Sequence, residues 1–341
     1  MPPKAGFRDT HISLAHGNGG RLMRELIEEV FARALDSPLL DTTADAVSLS
    51  LATSTGEDLV VTTDGFTVQP LEFPGGNIGS LAVHGTVNDL AVSGALPRYM
   101  TLSVFLEEGL EIAVLRRVVD ALARAARECG VSVVAGDTKV VGRGDCDGIY
   151  LSTTGIGFKP SARRFALDQV RTGDQLLVSG PVGDHGAAVM LARQEFGFRG
   201  DLKSDAASVL PQAQALMTVE GLRFMRDPTR GGLATVAHEI ARATGLAVHL
   251  TEGRIPVNDT VQSVCELLGF DPLYMASEGC LVAIVAPEAA EAALTVLRTV
   301  APRSALIGEM SAGKSQVVLE TEFGGQRVLD ELEDDPLPRI C

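Results

Sequence analysis

Tryptophan is absent from the 341 residues, and aromatic residues of all kinds make up only 4%. That scarcity argues against a stacking platform for single-stranded nucleic acid. Positive charge is also short. The 29 Lys and Arg face 44 Asp and Glu, a formal charge of −15 that disfavours a phosphate backbone as partner. A nucleotide whose charge is met by a metal stays open. The five cysteines include no Cys-x-x-Cys pair and no Cys/His cluster. Neither a disulfide scaffold nor a zinc site is expected, and a reducing compartment is. No stretch approaches the roughly 18 apolar residues that span a bilayer. Met1 to Asp9 is polar, without the apolar centre of a signal peptide. A cytoplasmic protein with no nucleic-acid and no membrane partner is expected. The one literal GxxxxGK[ST], Gly308 to Ser315, runs into the strand-like Gln316–Glu320 and not into a helix, and a strand-linked GxGxxG is missing, so any nucleotide site is of another design.

What is present is ample apolar material, 45% of residues, enough for sizeable cores in about two domains. Residues 1–45 read as a leader, with the Gly-rich loop His16-Gly17-Asn18-Gly19-Gly20 before a helical stretch over Arg21 to Leu35. Residues 46–160 alternate strands at Leu59–Thr63, Tyr99–Leu106, Val131–Ala135 and Ile149–Gly157 with helices at Ile78–Ala95 and Leu110–Cys129. A polar, turn-rich stretch from Pro160 to Gly173 marks a boundary. Residues 170–330 alternate again, with strands near Gln175–Ser179, Ala247–Leu250, Leu281–Ala286, Ser304–Glu309 and Gln316–Glu320. Helices are expected there near 184–196, 205–219, 232–244, 259–268 and 288–300. Alternation in both halves indicates α/β or α+β packing.

Acidic residues recur where strands and helices meet loops. Asp64 follows Leu59-Val60-Val61-Thr62-Thr63, Asp89 follows Asn88 in a helix, Asp137 follows Ala135-Gly136, and Asp227 opens Asp227-Pro228-Thr229-Arg230-Gly231-Gly232. Each alone reads equally as a turn or cap residue. Converging, they would hold Mg²⁺, which takes hard oxygen ligands and bridges phosphate oxygens. In Gly136-Asp137-Thr138-Lys139 a cation follows an acid by two positions, which suits a phosphate beside a metal and also suits a surface ion pair. Thr229, Arg230, Gly231 and Gly232 precede a helical run. Backbone N–H groups at such a start form an anion site, and Arg230 adds charge-assisted bonds. His84 and Asn88 share a helix face at i, i+4. Glu278 stands at a strand entrance, where it is a base or a solvated turn residue.

The sequence ends Asp334-Asp335-Pro336-Leu337-Pro338-Arg339-Ile340-Cys341. Residues 331–341 read as a mobile, semi-rigid arm carrying a nucleophile, since two prolines favour extension and disfavour helix.

These motifs carry a resemblance. His16 to Gly20, Thr63-Asp64-Gly65, Phe73-Pro74-Gly75-Gly76-Asn77-Ile78-Gly79, Asn88-Asp89-Leu90-Ala91 and Gly136-Asp137-Thr138-Lys139-Val140-Val141 occur in order. Gly183-Asp184-His185-Gly186, Asp227 to Gly232, Glu278-Gly279 and the terminal Pro338-Arg339-Ile340-Cys341 follow. The chain closely resembles the HypE family of hydrogenase maturation proteins, carbamoyl dehydratases of the aminoimidazole-ribonucleotide-synthetase-like ATPase superfamily. The resemblance implies a two-domain α/β (α+β) fold. Its N-terminal domain would form a β-barrel across a homodimer, and its C-terminal domain an α/β sandwich. It implies ATP and Mg²⁺ as cofactors, a carbamoyltransferase that loads Cys341, and an iron-carrying scaffold complex that accepts cyanide. The reaction implied is dehydration of S-carboxamide to S-cyanate. Cys341 would carry the substrate, with Lys139 and Glu278 catalytic and His84 an alternative base. Asp64, Asp89, Asp137 and Asp227 would organise metal and phosphate, together with Asn88, Thr138, Lys139, Thr229, Arg230, Gly231 and Gly232. Asp45, in Ala44-Asp45-Ala46, lacks the paired acid common in the superfamily, which argues against a role for it. Cys280 is expected to be a packing residue. Two other readings remain at this stage: a synthetase acting on a free small molecule, and a non-catalytic scaffold presenting a thiol.

Overall fold

The computed structural model describes residues 11–13, 16, 20–35, 37, 39, 41–50, 56–193, 202–332 and 339–341. The glycine-rich positions 17–19 and the arm at 333–338, with both its prolines, lie outside the described residues. The leader helix is α1 (Arg21–Leu26), continued through a π-helical turn (Ile27–Ala32) into α2 (Arg33–Leu35).

The first sheet uses β1 (Val47–Ser50), β2 (Glu57–Phe66), β5 (Leu96–Glu107), β6 (Ser132–Val141) and β7 (Ile149–Pro160), in the order β1-β2-β7-β5-β6. Only the β5–β6 pair is parallel. The short strands β3 (Glu72–Phe73) and β4 (Gly76–Asn77) form a two-stranded pair ahead of α3 (Ile78–Val92). Asn77 caps α3, its side chain accepting from Gly79 and Ser80 while Ser80 answers to the Asn77 backbone. α3 and α4 (Ile112–Glu128) cover one face of the sheet. α4 is amphipathic, with Val118, Ala121, Leu122, Ala125 and Ala126 turned inward. α3 is buried nearly all round, because it also meets the second half of the chain. Among the described residues the other sheet face is uncovered, with Tyr99 45% and Phe105 39% exposed, and β6 is an edge with no further strand beside it. The sheet is thus open in the single chain.

The second sheet contains β8 (Gln175–Val178), β9 (Leu222–Arg226), β10 (Ala247–Thr251), β11 (Val282–Val285), β12 (Ala305–Ser311), β13 (Val317–Glu320) and β14 (Gln326–Val328). Its order is β14-β13-β10-β12-β8-β11-β9, with β10–β13 the parallel pair. α7 (Gly232–Thr244) packs on one face, and α6 (Leu210–Met217) and α9 (Ala290–Val300) on the other. α5 (Asp184–Ala192) and α8 (Asp259–Leu268) join the core that holds α3, α4 and the first sheet. Some elements depart from the sequence expectation; the helix expected near 205–219, for one, begins only at Leu210. β6 runs through Gly136-Asp137-Thr138-Lys139 and does not stop before it, because its pairing with β5 continues to Val141. β9 was not foreseen, since Leu222-Arg223-Phe224-Met225-Arg226 carries a charge at every third or fourth position and no clean alternation. Among the described residues no helix is long and apolar enough to cross a membrane.

The two helices over the first sheet meet closely at Gly79. A Cβ there would stand 2.2 Å from the Val118 carbonyl oxygen. Gly79→Ala is expected to destabilise the chain by about 1–3 kcal/mol in urea unfolding, as overpacking does in tight cores; unchanged stability would show that the α3–α4 contact relaxes.

Candidate functional site

Four elements bring carboxylates together. Asp45 precedes β1, Asp64 lies on β2, Asp89 on α3, and Asp227 follows β9. Asp64 shares a face of β2 with Val60, Thr62 and Phe66 by the two-residue strand period, so it points toward α3. Carboxylate oxygens of Asp45, Asp89 and Asp227 lie within 4.8 Å of one another. The Thr62 hydroxyl stands 2.7 Å from Asp89 Oδ2 and 2.9 Å from the Asp45 carbonyl. Arg226 sits beside the group, 3.0 Å from Asp45 and 3.0 Å from Glu239. Asp45 is therefore a member of the acidic cluster, contrary to the sequence expectation. Its missing acidic neighbour is compensated by carboxylates from other elements.

Burial and mutual repulsion set the protonation of this cluster. Burial raises Asp89 well above the usual carboxylate range, and Asp227, Asp45 and Asp64 push it further. Asp227 is raised to about 7, first by burial and then by Asp45. Asp64 is raised by burial against the pull of Arg230. Asp227 Oδ2 is buried with no hydrogen-bond partner. Oxygen donors only, several unneutralised charges and an orphaned oxygen suit a hard divalent cation.

Glu278 approaches from the loop before β11. It is 2% exposed, its Oε1 has no hydrogen-bond partner, and burial with Asp227, Asp205 and Asp64 raises it well above its ordinary value. Its backbone is fixed from both sides. Asp205 accepts from the N–H groups of Glu278 and Gly279 at 3.0–3.2 Å. The Asn88 amide donates to the carbonyls of Glu278 (3.1 Å) and Ala207 (3.0 Å) and accepts from Val209 N–H (2.8 Å). Asn88, expected to bind cofactor, has its side chain spent on this clamp. His84, on the same helix, is depressed by burial and is influenced by Glu128, not by the acidic cluster. Its Nδ1 is buried without a hydrogen-bond partner.

Thr229, Arg230, Gly231 and Gly232 form the start of α7 as expected. The Gly232 N–H donates to the Thr229 carbonyl at 2.9 Å. Gly232 has φ 61°, and a Cβ there would fall 2.5 Å from the Met275 carbonyl oxygen, so only glycine fits this turn. Thr229 and Arg230 line a cavity of about 300 Å³ with Arg24, Thr43, Arg226, Asp227 and Glu239. A second cavity of about 390 Å³ opens beside Asp45.

Asp137, Thr138 and Lys139 are not brought to this cluster within one chain. They lie on the exposed edge strand β6, with Lys139 2.9 Å from Asp137. The Lys139 and Thr138 hydrogen bonds hold Asp137 below its usual value. Cys280 is buried and pushed to about 12 by burial, an inert packing thiol as expected.

The last residues are seated rather than extended into solvent. Ile340 is 3% exposed and belongs to the core beneath α3 and α5. Thr67 N–H donates to the Cys341 carbonyl at 3.1 Å, and Gln69 N–H to the Arg339 carbonyl at 3.2 Å. Arg193 donates to that Arg339 carbonyl at 2.8 Å, and Arg339 pairs with Asp147. Thr67 stands three positions beyond Asp64, so the thiol-bearing end is anchored to the strand that carries a cluster carboxylate.

Two domain models match the chain. The AIR synthase related protein N-terminal domain covers residues 43–158, and the C-terminal domain covers 171–320. The carbamoyl dehydratase HypE of Azotobacter vinelandii is 45% identical over 339 residues, 98% of each chain. Among solved structures, a HypE–HypF complex matches with TM-score 0.84 at 41% identity, over 90% of this chain and 99% of that one. HypE in complex with ATP matches with TM-score 0.80 at 45% identity, over 97% and 100%.

Asp227 binds more protons in the fold than when unfolded between its ordinary 3.8 and about 7. Without a divalent cation, stability contributed at this site therefore falls as pH rises through that window. Mg²⁺ is expected to raise the melting temperature more at pH 8 than at pH 5; an equal increment would remove the carboxylates from the binding site.

Proposed function

The chain belongs to the HypE carbamoyl dehydratase family, and on that footing we infer that it dehydrates a carbamoyl group carried on its own Cys341. ATP-driven conversion of the S-carboxamide to an S-cyanate supplies the cyanide ligand for iron during [NiFe]-hydrogenase maturation. The observation that carries this reading is the seating of Cys341 on the segment that leads out of β2, beside the strand that presents Asp64 to the carboxylate cluster.

An amide oxygen is a poor leaving group. Its attack on the γ-phosphorus, with loss of ADP and one N–H proton, turns it into a phosphate ester. Removal of the second N–H proton as the C–O bond breaks then gives the nitrile and free phosphate. Asp45, Asp89 and Asp227, with Asp64, would hold Mg²⁺, which would supply positive charge against the phosphate. Arg230 and the amides at the start of α7 meet phosphate oxygens. Glu278 is the base. Its Oε1 lacks a partner, and neutralising Asp227 and Asp64 removes part of the repulsion that keeps it protonated. Burial keeps water from the intermediate.

Asp137, Thr138 and Lys139 enter the site through a second copy. The uncovered face of the first sheet and the unpaired β6 edge suit a homodimer whose strands complete a barrel, and Lys139 then reaches the phosphates across the interface. A carbamoyltransferase loads Cys341, and an iron-carrying scaffold complex takes the cyano group. The ATP cleft and these partners lie in the cytoplasm.

Carbamoylated protein given Mg-ATP is expected to lose the mass of one water from the Cys341 peptide, and retention of the carbamoyl group would refute the activity. Glu278→Gln is expected to slow this loss roughly 10²–10⁴-fold with ATP still bound; a wild-type rate would assign the base elsewhere. Phe105→Lys, on the open face beside β6, is expected to convert a sedimenting dimer to monomer, and an unchanged sedimentation coefficient would exclude that face from the interface.

A further inference from the structure

The terminal seat contains a buried histidine for which the chemistry above has no use. His185, the second residue of α5, is fully buried, edge-on to Phe73 with ring centroids 5.3 Å apart. Its Nε2 stands 2.8 Å from the Ile340 carbonyl oxygen, and its Nδ1 2.7 Å from Ser204 Oγ. A carbonyl only accepts, so Nε2 carries the proton. Burial pushes the ring down to about 4, which leaves it neutral with Nδ1 as acceptor. Ser204 must then donate to Nδ1, and its oxygen accepts in turn from Ala206 N–H at 3.0 Å. Every proton in this chain has one consistent direction.

The same short segment continues to the base. Ser204 N–H is held by the Pro74 carbonyl at 2.8 Å. Asp205 grips the N–H groups of Glu278 and Gly279. Ala207 and Val209 are gripped by Asn88. Ser204 thus touches the anchor of the terminal residues, and Asp205 beside it fixes Glu278.

We propose that His185 is a positioning residue for the terminal cysteine, holding the Ile340 carbonyl while its bond to Ser204 ties the seat to the segment that fixes Glu278. Its consequence for turnover rests on the dehydratase reading; the seat itself does not. The carbonyls on both sides of the Cys341 Cα are pinned, by His185 and by Thr67, so the rotation left to place the thiol is that of the side chain. An apolar residue of equal size would fill the space and leave the Ile340 carbonyl and the Ser204 hydroxyl unpaired, which is costly in a buried place. Glutamine carries an amide N–H near the Nε2 position and can restore the first of those bonds. Asparagine is too short to do so.

The test is the alkylation rate of Cys341 in the full chain without nucleotide, resolved from the other cysteines by peptide mass. His185→Ala and His185→Asn are expected to raise it about three- to tenfold, the loss of one hydrogen bond, and His185→Gln to return most of the protection. A wild-type rate in His185→Ala, or a His185→Gln as reactive as His185→Ala, would overturn the proposal. Should the variants fail to fold, ¹⁵N spectra of the wild-type imidazole decide. The slowly exchanging Nε2 proton is expected in the full chain and lost in a chain ending at Pro338; identical ring signals would overturn the assignment. Protected Cys341 in a protein that retains its carbamoyl group would support the seat and remove the activity, so the two failures are distinguishable.

Discussion

Repulsion among buried carboxylates is the constraint around which this chain is arranged. Asp45, Asp64, Asp89 and Asp227 come from four elements in both halves of the molecule and are pushed together out of water. Arg226 and Arg230 relieve part of that strain, but Asp227 keeps an oxygen with no partner. Such an arrangement costs stability that positive charge would relieve, which suits it to a hard divalent cation. Glu278 feels the same field, since Asp227 and Asp64 add to the burial that raises it, so a positive charge at the cluster would also shift the protonation of Glu278.

Geometry adds a second coupling. α3 is buried between the first sheet and the second half of the chain, and it carries both Asp89, in the cluster, and Asn88, in the clamp on Glu278 and Val209. The terminal residues are anchored just past the end of β2, while Asp64 lies within it. The terminal residues, the carboxylate cluster and the Glu278 backbone are therefore tied together through β2 and α3. A thiol tethered by its own chain needs no separate substrate pocket.

Much of this was legible before the fold was known. Asp64, Asp89, Asp227, Glu278 and the Thr229–Gly232 turn stood out because each combined an acid or glycine pair with the end of an apolar run. Other parts were not legible. Asp45 sits between alanines with no local signal, and only the pairing of β1 with β2 carries it to Thr62. Asn88 has the same neighbours whether it binds a ligand or clamps a loop, so its role is set by the 205–209 segment. Arg226 belongs to a strand without alternation. Asp137 and Lys139 suited either a phosphate beside a metal or a surface ion pair; within one chain they form the ion pair on an exposed edge, which depends on what pairs beyond β5. The terminal residues were expected to be extended and mobile, and Ile340 is instead buried by α3 and α5, contacts made across the whole length of the chain.

The central claim is that one protein delivers its own sulfur-borne cargo to an activated phosphate. The most direct measurement is a structure of the S-carbamoylated chain with Mg²⁺ and a non-hydrolysable ATP analogue. The account predicts the carboxamide oxygen about 3–3.5 Å from the γ-phosphorus, with the Thr67 bond to the Cys341 carbonyl retained. A carboxamide far outside that distance in every subunit, with the terminal residues still seated, would contradict it.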